Sequence, residues 1–321
     1  MCGNSVLHFV SLNCWAWATQ KCGQITEGKF SSIPDTFYIK ESLEREIKNY
    51  PNCKLFITQG FICKNSTGEI DNLKRGGSDY SASIIGAAAE AAEVQLWSDI
   101  DGMHNNDPRF VKNTVPLSNV SFDEAAELAY FGAKILHPSA ILPAKLANIP
   151  VRLKNTMFPN QEGTLISNLS VGRNIKAVAA KDGITAIKIK SGRMLMAYGF
   201  MRKIFEVFET YKTSIDMITT SEVAVSVTID NTSRLDEIVK DLIKFGTVEV
   251  DENLTIICVV GDFIDDSKGI AYKIFEALKH IPIRMISYGG SRHNISLVIS
   301  TVEKKNALIS LNKGLFDDIV Q

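Results

Sequence analysis

The chain has 321 residues, of which 45% are hydrophobic and 22% charged, and its formal net charge is −1 at pH 7. This composition is ordinary for a globular protein of two or three domains, and a charge so close to zero gives no electrostatic case for binding nucleic acid or an anionic membrane. The longest apolar run near the start, VLHFVSLNCWAWA, is too short to span a bilayer and has no basic segment before it. We therefore expect neither a membrane helix nor a signal peptide.

The cysteines point to a reducing compartment. There are six, most of them in the first fifth of the chain, and none forms a C-x-x-C pair. Free thiols in the cytoplasm are the expected state. A zinc site would require His8 to converge with distant cysteines, so we predict no metal site.

The first half of the chain alternates predicted strands and helices. In chain order the patterns predict a helix in IKESLEREIKNY, β structure in CKLFITQGFIC, a helix from Ser78, a buried strand in EVQLWSDI, helices in SFDEAAELAYFG and PSAILPAKLAN, and a strand in PVRLKN. Ser121 and Glu124 form a capping box at the start of SFDEAAELAYFG, and Gly132 closes that helix. Strands and helices that alternate through short links predict an α/β domain with a mostly parallel sheet.

Past MFPNQEGTLISN the sequence repeats itself. KIFE at 203–206 recurs at 273–276, 70 residues later, and IDMI at 215–218 is matched by IRMI at 283–286, 68 residues later. Each copy reads strand, helix, strand, strand, helix, which predicts two adjacent ferredoxin-like βαββαβ modules. The predicted domains are residues 1–165, 166–250 and 251–321.

The stretch LKRGGSDYSASIIGAAAEAAE predicts a tight turn that runs into a small-residue helix. Its glycines allow positive φ and close approach of a ligand to the backbone. Ser78 or Asp79 would cap the helix, whose first amides attract anions, and Arg75 adds a forked donor suited to a carboxylate or phosphate. From these residues alone, a plain helix cap after a glycine turn remains the simpler interpretation.

Polar residues follow the predicted strand in LWSDIDGMHNNDPRF. Ser98 and Asp99 stand where the strand ends, and the carboxyl ends of parallel strands face the ligand crevice of an α/β sheet. Arg109 is a lone cation in the turn that follows, and Lys134 in YFGAKILHP could reach a phosphate. Read alone, a solvated polar loop and a solvated lysine remain open alternatives.

Together, FITQGFI, KRGGSDYSA, WSDIDGMHNNDPR, SFDEAAELAYFGAKILHP and SIDMITTSE closely resemble the aspartate kinases, in sequence and in order, from about Leu55 onwards. The resemblance implies a partial amino-acid kinase domain, which is a parallel-sheet α/β sandwich, followed by two ACT modules that bind feedback amino acids. It also implies the reaction of MgATP with L-aspartate to give 4-phospho-L-aspartate and ADP, the first step towards lysine, threonine and methionine.

The resemblance assigns roles to residues that match the family motifs. Arg75 and Ser78 would hold the carboxylates of aspartate, and Asp79, the implied catalytic residue, would take the substrate ammonium and help to orient a lysine. Magnesium would be held largely by the phosphates. The implied ATP contacts are Ser98, Asp99, His104, Arg109 and Lys134.

The first module carries a predicted effector site. Free amides at the turn before its helix suit an amino-acid carboxylate, and nearby acceptors suit an ammonium. ITTSE resembles the lysine-sensitive branch of the family, so we expect L-lysine, with threonine as the runner-up; strands packed without any ligand are the alternative. We also expect homodimers through the ACT modules, because unpaired sheet edges favour association. The predicted regulatory residues are Met194, Gly199, Phe200, Met201, Ile215, Asp216, Ser221 and Glu222.

The sequence departs from the family pattern at its beginning. The family opens with a Lys-Phe-Gly-Gly-Thr-Ser segment whose lysine stabilises the transferred phosphoryl group, and no such motif occurs here. MCGNSVLHF resembles a later Gly-Glu-Leu-x-Ser segment, with Asn4 in place of a substrate-binding glutamate, and His104 replaces an aromatic residue. We therefore expect weak activity from this chain alone. One alternative is a non-catalytic regulatory chain. Another is a different amino-acid kinase, such as one acting on glutamate, but the paired ACT modules and SDIDGMHNNDPR argue against this second alternative.

Overall fold

A computed structural model describes residues 8–11, 22–23, 33–34, 36–64, 69–73, 76–132, 136–169, 175–192, 198–263 and 268–316. The chain divides into two compact units. The first comprises residues 1–103, 116–130 and 134–172, and the second comprises residues 104–115, 131–133 and 173–321. The segment 104–115 thus groups with the second unit, which the sequence did not predict.

The first unit contains strands β1–β10 and helices α1–α4. The strands are β1 (His8–Ser11), β2 (Cys22–Gly23), β3 (Ile33–Pro34), β4 (Leu55–Thr58), β5 (Ile62–Lys64), β6 (Ile70–Asn72), β7 (Val94–Ser98), β8 (Asn119–Ser121), β9 (Val151–Asn155) and β10 (Thr164–Ser167). The helices are α1 (Thr36–Asn49), α2 (Gly77–Ala88), α3 (Phe122–Tyr130) and α4 (Leu142–Leu146), the last of which follows a 3₁₀ turn at Pro138–Ile141.

The main sheet of this unit has the order β7-β9-β10-β8. The pairs β7–β9 and β8–β10 are parallel, and β9–β10 is antiparallel. Elsewhere β1 pairs with β4 in parallel, and β2–β3 and β5–β6 are antiparallel pairs. The predicted α/β class with parallel strand pairs is confirmed.

The sequence predicts a buried strand in EVQLWSDI, but strand β7 is only partly buried. Val94 is buried, but Trp97 is 45% exposed and Ser98 is also exposed. The reason is its place at the edge of the described sheet, where it has β9 as its one strand neighbour. A continuous apolar run therefore overstated the burial of this strand.

Helix α2 packs closely against β7. A Cβ atom on Gly86 would lie 2.3 Å from Val94 Cγ2, so glycine is what allows this approach. A short link joins α2 to β7. The carboxyl-terminal part of α2 therefore lies against the start of β7.

Helix α3 begins with the predicted capping box. The Glu124 amide donates to Ser121 Oγ at 3.1 Å, and the Ser121 amide donates to Glu124 Oε2 at 2.6 Å. Two amides that the helix itself leaves without partners are thereby satisfied. The prediction made from SFDEAAEL is confirmed at atomic detail.

The second unit contains one six-stranded sheet with the order β12-β13-β11-β14-β16-β15. Its strands are β11 (Ile175–Lys190), β12 (Met217–Thr220), β13 (Ala224–Ile229), β14 (Thr247–Gly261), β15 (Ile283–Tyr288) and β16 (Asn294–Ser300). Its helices are α5 (Phe200–Thr210), α6 (Leu235–Leu242), α7 (Ile270–Ala277) and α8 (Lys304–Phe316), with a 3₁₀ turn at Thr301–Glu303.

Two hydrophobic cores lie along this sheet and define the two modules. The first core contains Ile187 and Ile189 of β11 together with side chains of α5 and α6. The second contains Val178 of β11 and Ile257 of β14 together with side chains of α7 and α8. The long strands β11 and β14 therefore give one half to each core. The boundary drawn from sequence at 250/251 falls inside β14, and residues 175–182 pack in the second module rather than the first.

The two halves of β11 meet at an irregularity. The pairing with β14 shifts between Asp182 and Ile184, and the intervening Gly183 has a φ of +76°. Such a bulge locally bends and twists a strand, and glycine adopts this conformation without strain. The residues that break the apolar pattern here thus mark the junction of the two modules.

Among the described residues, no helix has both the length and the apolar character needed to cross a membrane. Cys53, Cys63 and Cys258 are free thiols, and the last two are buried. The side chains of the other cysteines lie outside the described residues.

Candidate functional site

The turn before α2 depends on two glycines. Gly76 has a φ of +72°, and a Cβ atom there would lie 2.7 Å from His137 Cβ. A Cβ atom on Gly77 would lie 2.8 Å from Phe61 Cδ2. The turn is therefore closed to larger residues for both conformational and steric reasons.

The cap of α2 differs from the prediction. Gly76 is the N-cap residue, and no side chain caps the helix. Ser78 and Asp79 lie in the first helical turn instead, because the glycine pair completes the reversal of the chain before them. Their side chains are thereby not used for capping.

Asp79 is a partly buried carboxylate at the start of a helix. Burial raises the pKa of Asp79, and a hydrogen bond with the Ser78 side chain opposes the rise. Desolvation disfavours the charged form of an acid, and a nearby cation restores it. The position therefore suits an ammonium group, either of a ligand or of a lysine. Arg75, predicted beside it, lies outside the described residues.

Phe61 joins this turn and was missed in the sequence. Its φ is +72°, in the left-handed region that residues with a side chain rarely adopt. The Phe61 amide donates to Ser81 Oγ at 3.0 Å, and its carbonyl accepts from the Leu73 amide at 2.8 Å. Such backbone strain concentrates at functional sites. The available signal was the polar pair Gln59–Gly60 directly after β4.

Ser98 and Asp99 lie at the carboxyl end of β7, as predicted, and both are exposed. The neighbouring strand β9 holds them from the side: the Thr156 amide donates to the Ser98 carbonyl at 2.8 Å, and buried Asn155 lies within 3.5 Å of the Asp99 carbonyl.

Asn155 is a second residue that sequence reasoning missed. It ends β9 opposite Ser98, its Oδ1 accepts from the Met157 amide at 2.8 Å, and it is 6% exposed. The rule that picked out SDID, namely polar residues at the end of a parallel strand, applies equally to the final Asn of PVRLKN.

His104 and Arg109 belong to the second unit, whereas Ser98 and Asp99 belong to the first. His104 Nδ1 lies 2.9 Å from Thr114 Oγ1. Arg109 is not the lone cation that the sequence suggested, because its Nε and Nη2 lie 2.9 Å and 2.6 Å from the two carboxylate oxygens of Asp107. Lys134 lies outside the described residues.

Asp107 and Arg109 shift each other's pKa. Burial acts to raise the pKa of Asp107, but the hydrogen bonds from Arg109 and the positive charges of Arg109 and Lys304 together outweigh it, so that the pKa is lowered. The pKa of Arg109 is raised by the same hydrogen bonds. Arg109 is nevertheless exposed beyond this contact, so its remaining donors stay accessible.

The predicted effector residues divide between the two ends of β12. Strands β11 and β12 both run antiparallel to β13, so they share a direction. The end of β11, the start of α5 and the pair Ser221–Glu222 therefore lie at one end of the first module. There Gly199 is the N-cap of α5 with a φ of +79°. Ile215 and Asp216 precede β12 and lie at the opposite end, about 16 Å away at 3.3 Å per residue.

The remaining predicted effector residues differ in their surroundings. Phe200 is 8% exposed and packs in the first core, so its side chain serves packing, whereas its amide lies in the first turn of α5. Met201 is half-buried at the edge of that core. Met194 lies outside the described residues.

Asp216 already has a cationic partner. Its carboxylate side chain is 1% exposed, and Oδ1 accepts from Lys181 Nζ at 2.8 Å. Lys181 also lies 2.9 Å from Asp230 Oδ2. On a single chain, one amino acid therefore cannot contact both Asp216 and Ser221, and the predicted cluster is not brought together.

Comparisons with known proteins agree with this architecture. Residues 21–155 match the amino acid kinase family, and residues 257–315 match the ACT domain. The chain is 33% identical over 293 residues to the lysine-sensitive aspartokinase 3 of Escherichia coli, a match that covers 88% of this chain and 65% of that protein. The crystal structure of E. coli aspartokinase III in complex with aspartate and ADP has a TM-score of 0.80 and 31% identity, covering 97% of this chain and 70% of that one. The chain belongs to the aspartate kinase family.

Other members of the aspartate kinase family give the same picture. Aspartokinase 1, chloroplastic, of Arabidopsis thaliana is 37% identical over 275 residues, which cover 81% of this chain and 48% of that protein. The E. coli aspartokinase III structure in complex with lysine and aspartate has a TM-score of 0.79 at 31% identity, covering 96% of this chain and 69% of that one. The chain thus spans 65% of its E. coli relative and about half of the Arabidopsis one. The resemblance drawn from sequence motifs is confirmed.

Proposed function

We propose that this chain carries part of an aspartate kinase that transfers the γ-phosphoryl group of ATP to the side-chain carboxylate of L-aspartate. A carboxylate oxygen would bond to the γ-phosphorus as the bond to the β,γ-bridging oxygen breaks, giving 4-phospho-L-aspartate and ADP. The observation that carries the proposal is the fold shared with a structure that holds aspartate and ADP. The match of residues 21–155 to the kinase family speaks against a purely regulatory chain.

The roles proposed for individual residues are those that phosphoryl transfer requires. Such reactions depend mainly on alignment and on charge around the phosphates. Asp79 would hold the substrate ammonium, and Arg75 and Ser78 its carboxylates. Ser98 and Asp99 at the end of β7 would contact the nucleotide, as would His104, Arg109 and Lys134 on their own segments. Magnesium, held largely by the phosphates, would neutralise the charge that moves to the leaving group.

We expect little turnover from the 321-residue chain tested alone, because its sequence lacks the lysine and glycines that the family uses around the phosphates. Loss of one such electrostatic group typically lowers kcat about 10²–10³-fold. ADP release in the presence of aspartate and MgATP measures this. A turnover above about 1 s⁻¹, which is ordinary for enzymes, contradicts the expectation.

Ligand binding tests the proposed function even if turnover is low. MgADP and L-aspartate should each raise the melting temperature, since both bind the folded state. Asp79→Asn should abolish the response to aspartate and keep the response to MgADP. If neither ligand stabilises the chain, the proposed function is wrong.

We propose further that the first ACT module binds a feedback amino acid, L-lysine before L-threonine. The amides that begin α5 and the acceptors of Ser221 and Glu222 lie at one end of this module and suit the carboxylate and ammonium of an amino acid. The relative named lysine-sensitive and the structure with bound lysine support lysine. Exposed apolar side chains on the outer strands, such as Ile218, Ile286 and Tyr288, support a homodimer through the ACT modules.

A further inference from the structure

The segment 104–115 is a loop closed by its own ends, and we call it the 104–115 loop. The Asn105 amide donates to the Val115 carbonyl at 3.0 Å, and the Val115 amide donates to Asn105 Oδ1 at 2.7 Å. The Asn105 carbonyl accepts from the Val178 amide of β11 at 2.9 Å. The base of the loop is therefore tied to the sheet of the second module.

Helix α8 holds the loop at a second point. Asn106 is 3% exposed, and its Nδ2 lies 3.0 Å from the Leu308 carbonyl and 3.3 Å from Asn312 Oδ1. Its Oδ1 accepts from the Asp107 amide at 2.9 Å. One buried amide side chain thus joins the backbone of the loop to a helix some two hundred residues later in the chain.

Lys304 makes the third connection. Its ammonium lies 4.4 Å from the centre of the Phe110 ring and 2.6 Å from Asp182 Oδ2, and the residue is 8% exposed. Asp182 is itself held by Thr255 Oγ1 at 2.8 Å. Val111, next to Phe110, lies in the second hydrophobic core. The Phe110 ring thus contacts the buried ammonium group of Lys304, and the next residue along the chain packs in the second core.

We propose that the second ACT module positions the nucleotide-binding loop of this kinase, with Asn106 and Lys304 as positioning residues. The inference rests on the proposed function, in which His104 and Arg109 of this loop contact the nucleotide. Neither Asn106 nor Lys304 needs to touch the ligand. Each acts by fixing the backbone from which His104 and Arg109 project.

The expected direction follows from preorganisation. A binding loop that is ordered before its ligand arrives loses less conformational freedom when the ligand binds. Release of the loop from α8 should therefore weaken nucleotide binding, because the fraction of molecules with a competent loop falls. It should leave the effector end of the first module unaffected, because that end has its own core and its own turn.

The test measures MgADP affinity of the full chain by calorimetry, with Asn106→Ala and Lys304→Met as the variants. We expect each to weaken MgADP binding about tenfold, equivalent to about 1.4 kcal/mol. Hydrogen exchange at the amides of Asn105, Val111 and Val115 should become faster in the same variants. Lys304→Arg, which keeps a cation beside Asp182 and Phe110, should restore most of the affinity.

The matched control is Lys305→Met, which removes an exposed lysine one position along α8 and should bind MgADP as the unmodified chain does. If the variants bind MgADP with unchanged affinity while the loop exchanges faster, the positioning role is wrong. If Asn106→Ala does not fold, the MgADP affinities of Lys304→Met and Lys304→Arg still test the positioning role. If the unmodified chain does not bind MgADP, the proposed nucleotide site fails, and the positioning role fails with it.

Discussion

At the residue scale, Asp79 departs from the arrangement that would give an acid its greatest stability. An acid in the first turn of a helix ordinarily gains from the helix dipole. Here burial outweighs that gain and raises the pKa. The ionised form of Asp79 is therefore less favourable in the folded protein than in the unfolded chain, as is expected where a cationic group is to bind.

Asp79→Asn should make the protein more stable at pH 7. The folded state binds the proton of Asp79 more tightly than the unfolded state does, so the stability of the unmodified protein falls as the pH rises through the raised pKa. Asparagine carries no such charge. The advantage of the variant should shrink as the pH falls towards the ordinary carboxyl pKa of about 3.9, where the aspartate protonates in both states. Thermal melts across this range measure the difference.

Asp236→Asn provides the control. Asp236 also lies in the first turn of a helix, α6, but it is exposed. Asp236→Asn should not raise the stability at pH 7, because it removes a favourable interaction with the helix dipole and removes no buried charge. Equal stabilisation by both substitutions would show that the effect at Asp79 does not come from desolvation.

Residue types and local order predicted part of the candidate site. Ser98 and Asp99 were found because they end a strand, and Gly76 because glycine pairs signal a special turn. The pairing of Asp216 with Lys181 and the left-handed backbone of Phe61 depend on contacts distant in sequence. No local pattern reports these, because burial and counter-ions are set by tertiary packing.

At the element scale, the capping box of α3 is a local device whose energy can be tested. Ser121→Ala removes the acceptor for the Glu124 amide, and such caps are worth about 1 kcal/mol. The amides of α3 should then exchange about fivefold faster with solvent, as this difference in opening free energy requires. Ser118→Ala, at an exposed position just before β8, is the control and should leave α3 unchanged. If the amides of α3 exchange equally fast in Ser121→Ala and Ser118→Ala, the hydrogen bond from the Glu124 amide to Ser121 does not stabilise the helix.

Elements with a clean period were predicted well, and those interrupted by polar residues were not. The internal repeat predicts strands in this half of the chain, but Asp182 and Gly183 interrupt the apolar pattern of β11, so that the local sequence does not predict one continuous strand. Asp251, Glu252 and Asn253 interrupt the apolar pattern of β14 in the same way. In the structure these residues continue the strands across the module junction. These residues are in strand conformation because they pair with a distant segment of the chain, not because of their own local preference.

At the scale of the whole molecule, the two modules share strands rather than follow one another. Residues 175–182 and 254–261 both contribute to the second core, and the first module lies between them in sequence. Removing either module therefore breaks a strand of the other. The 104–115 loop packs in the same unit through Asn106 and Leu308, a contact that no periodicity in the sequence encodes.

This arrangement sharpens the prediction for the effector. The Ser221–Glu222 end of the first module has the amides of α5 beside it, whereas Asp216 at the other end is neutralised by Lys181. L-lysine should therefore raise the melting temperature through Glu222, and the response should be lost in Glu222→Gln. A ligand at one hundred times its Kd stabilises the folded state by about 2.7 kcal/mol, which a thermal melt resolves readily.

Two variants separate this site from its alternatives. Glu209→Gln, at an exposed position on α5, should keep the full response to lysine. Asp230→Asn, at the Lys181 end of the module, should keep it as well, because the ligand lies about 16 Å away along β12. A response lost in Asp230→Asn but kept in Glu222→Gln would move the effector to the module junction. Stabilisation by threonine and not by lysine would instead leave the site in place and change its ligand.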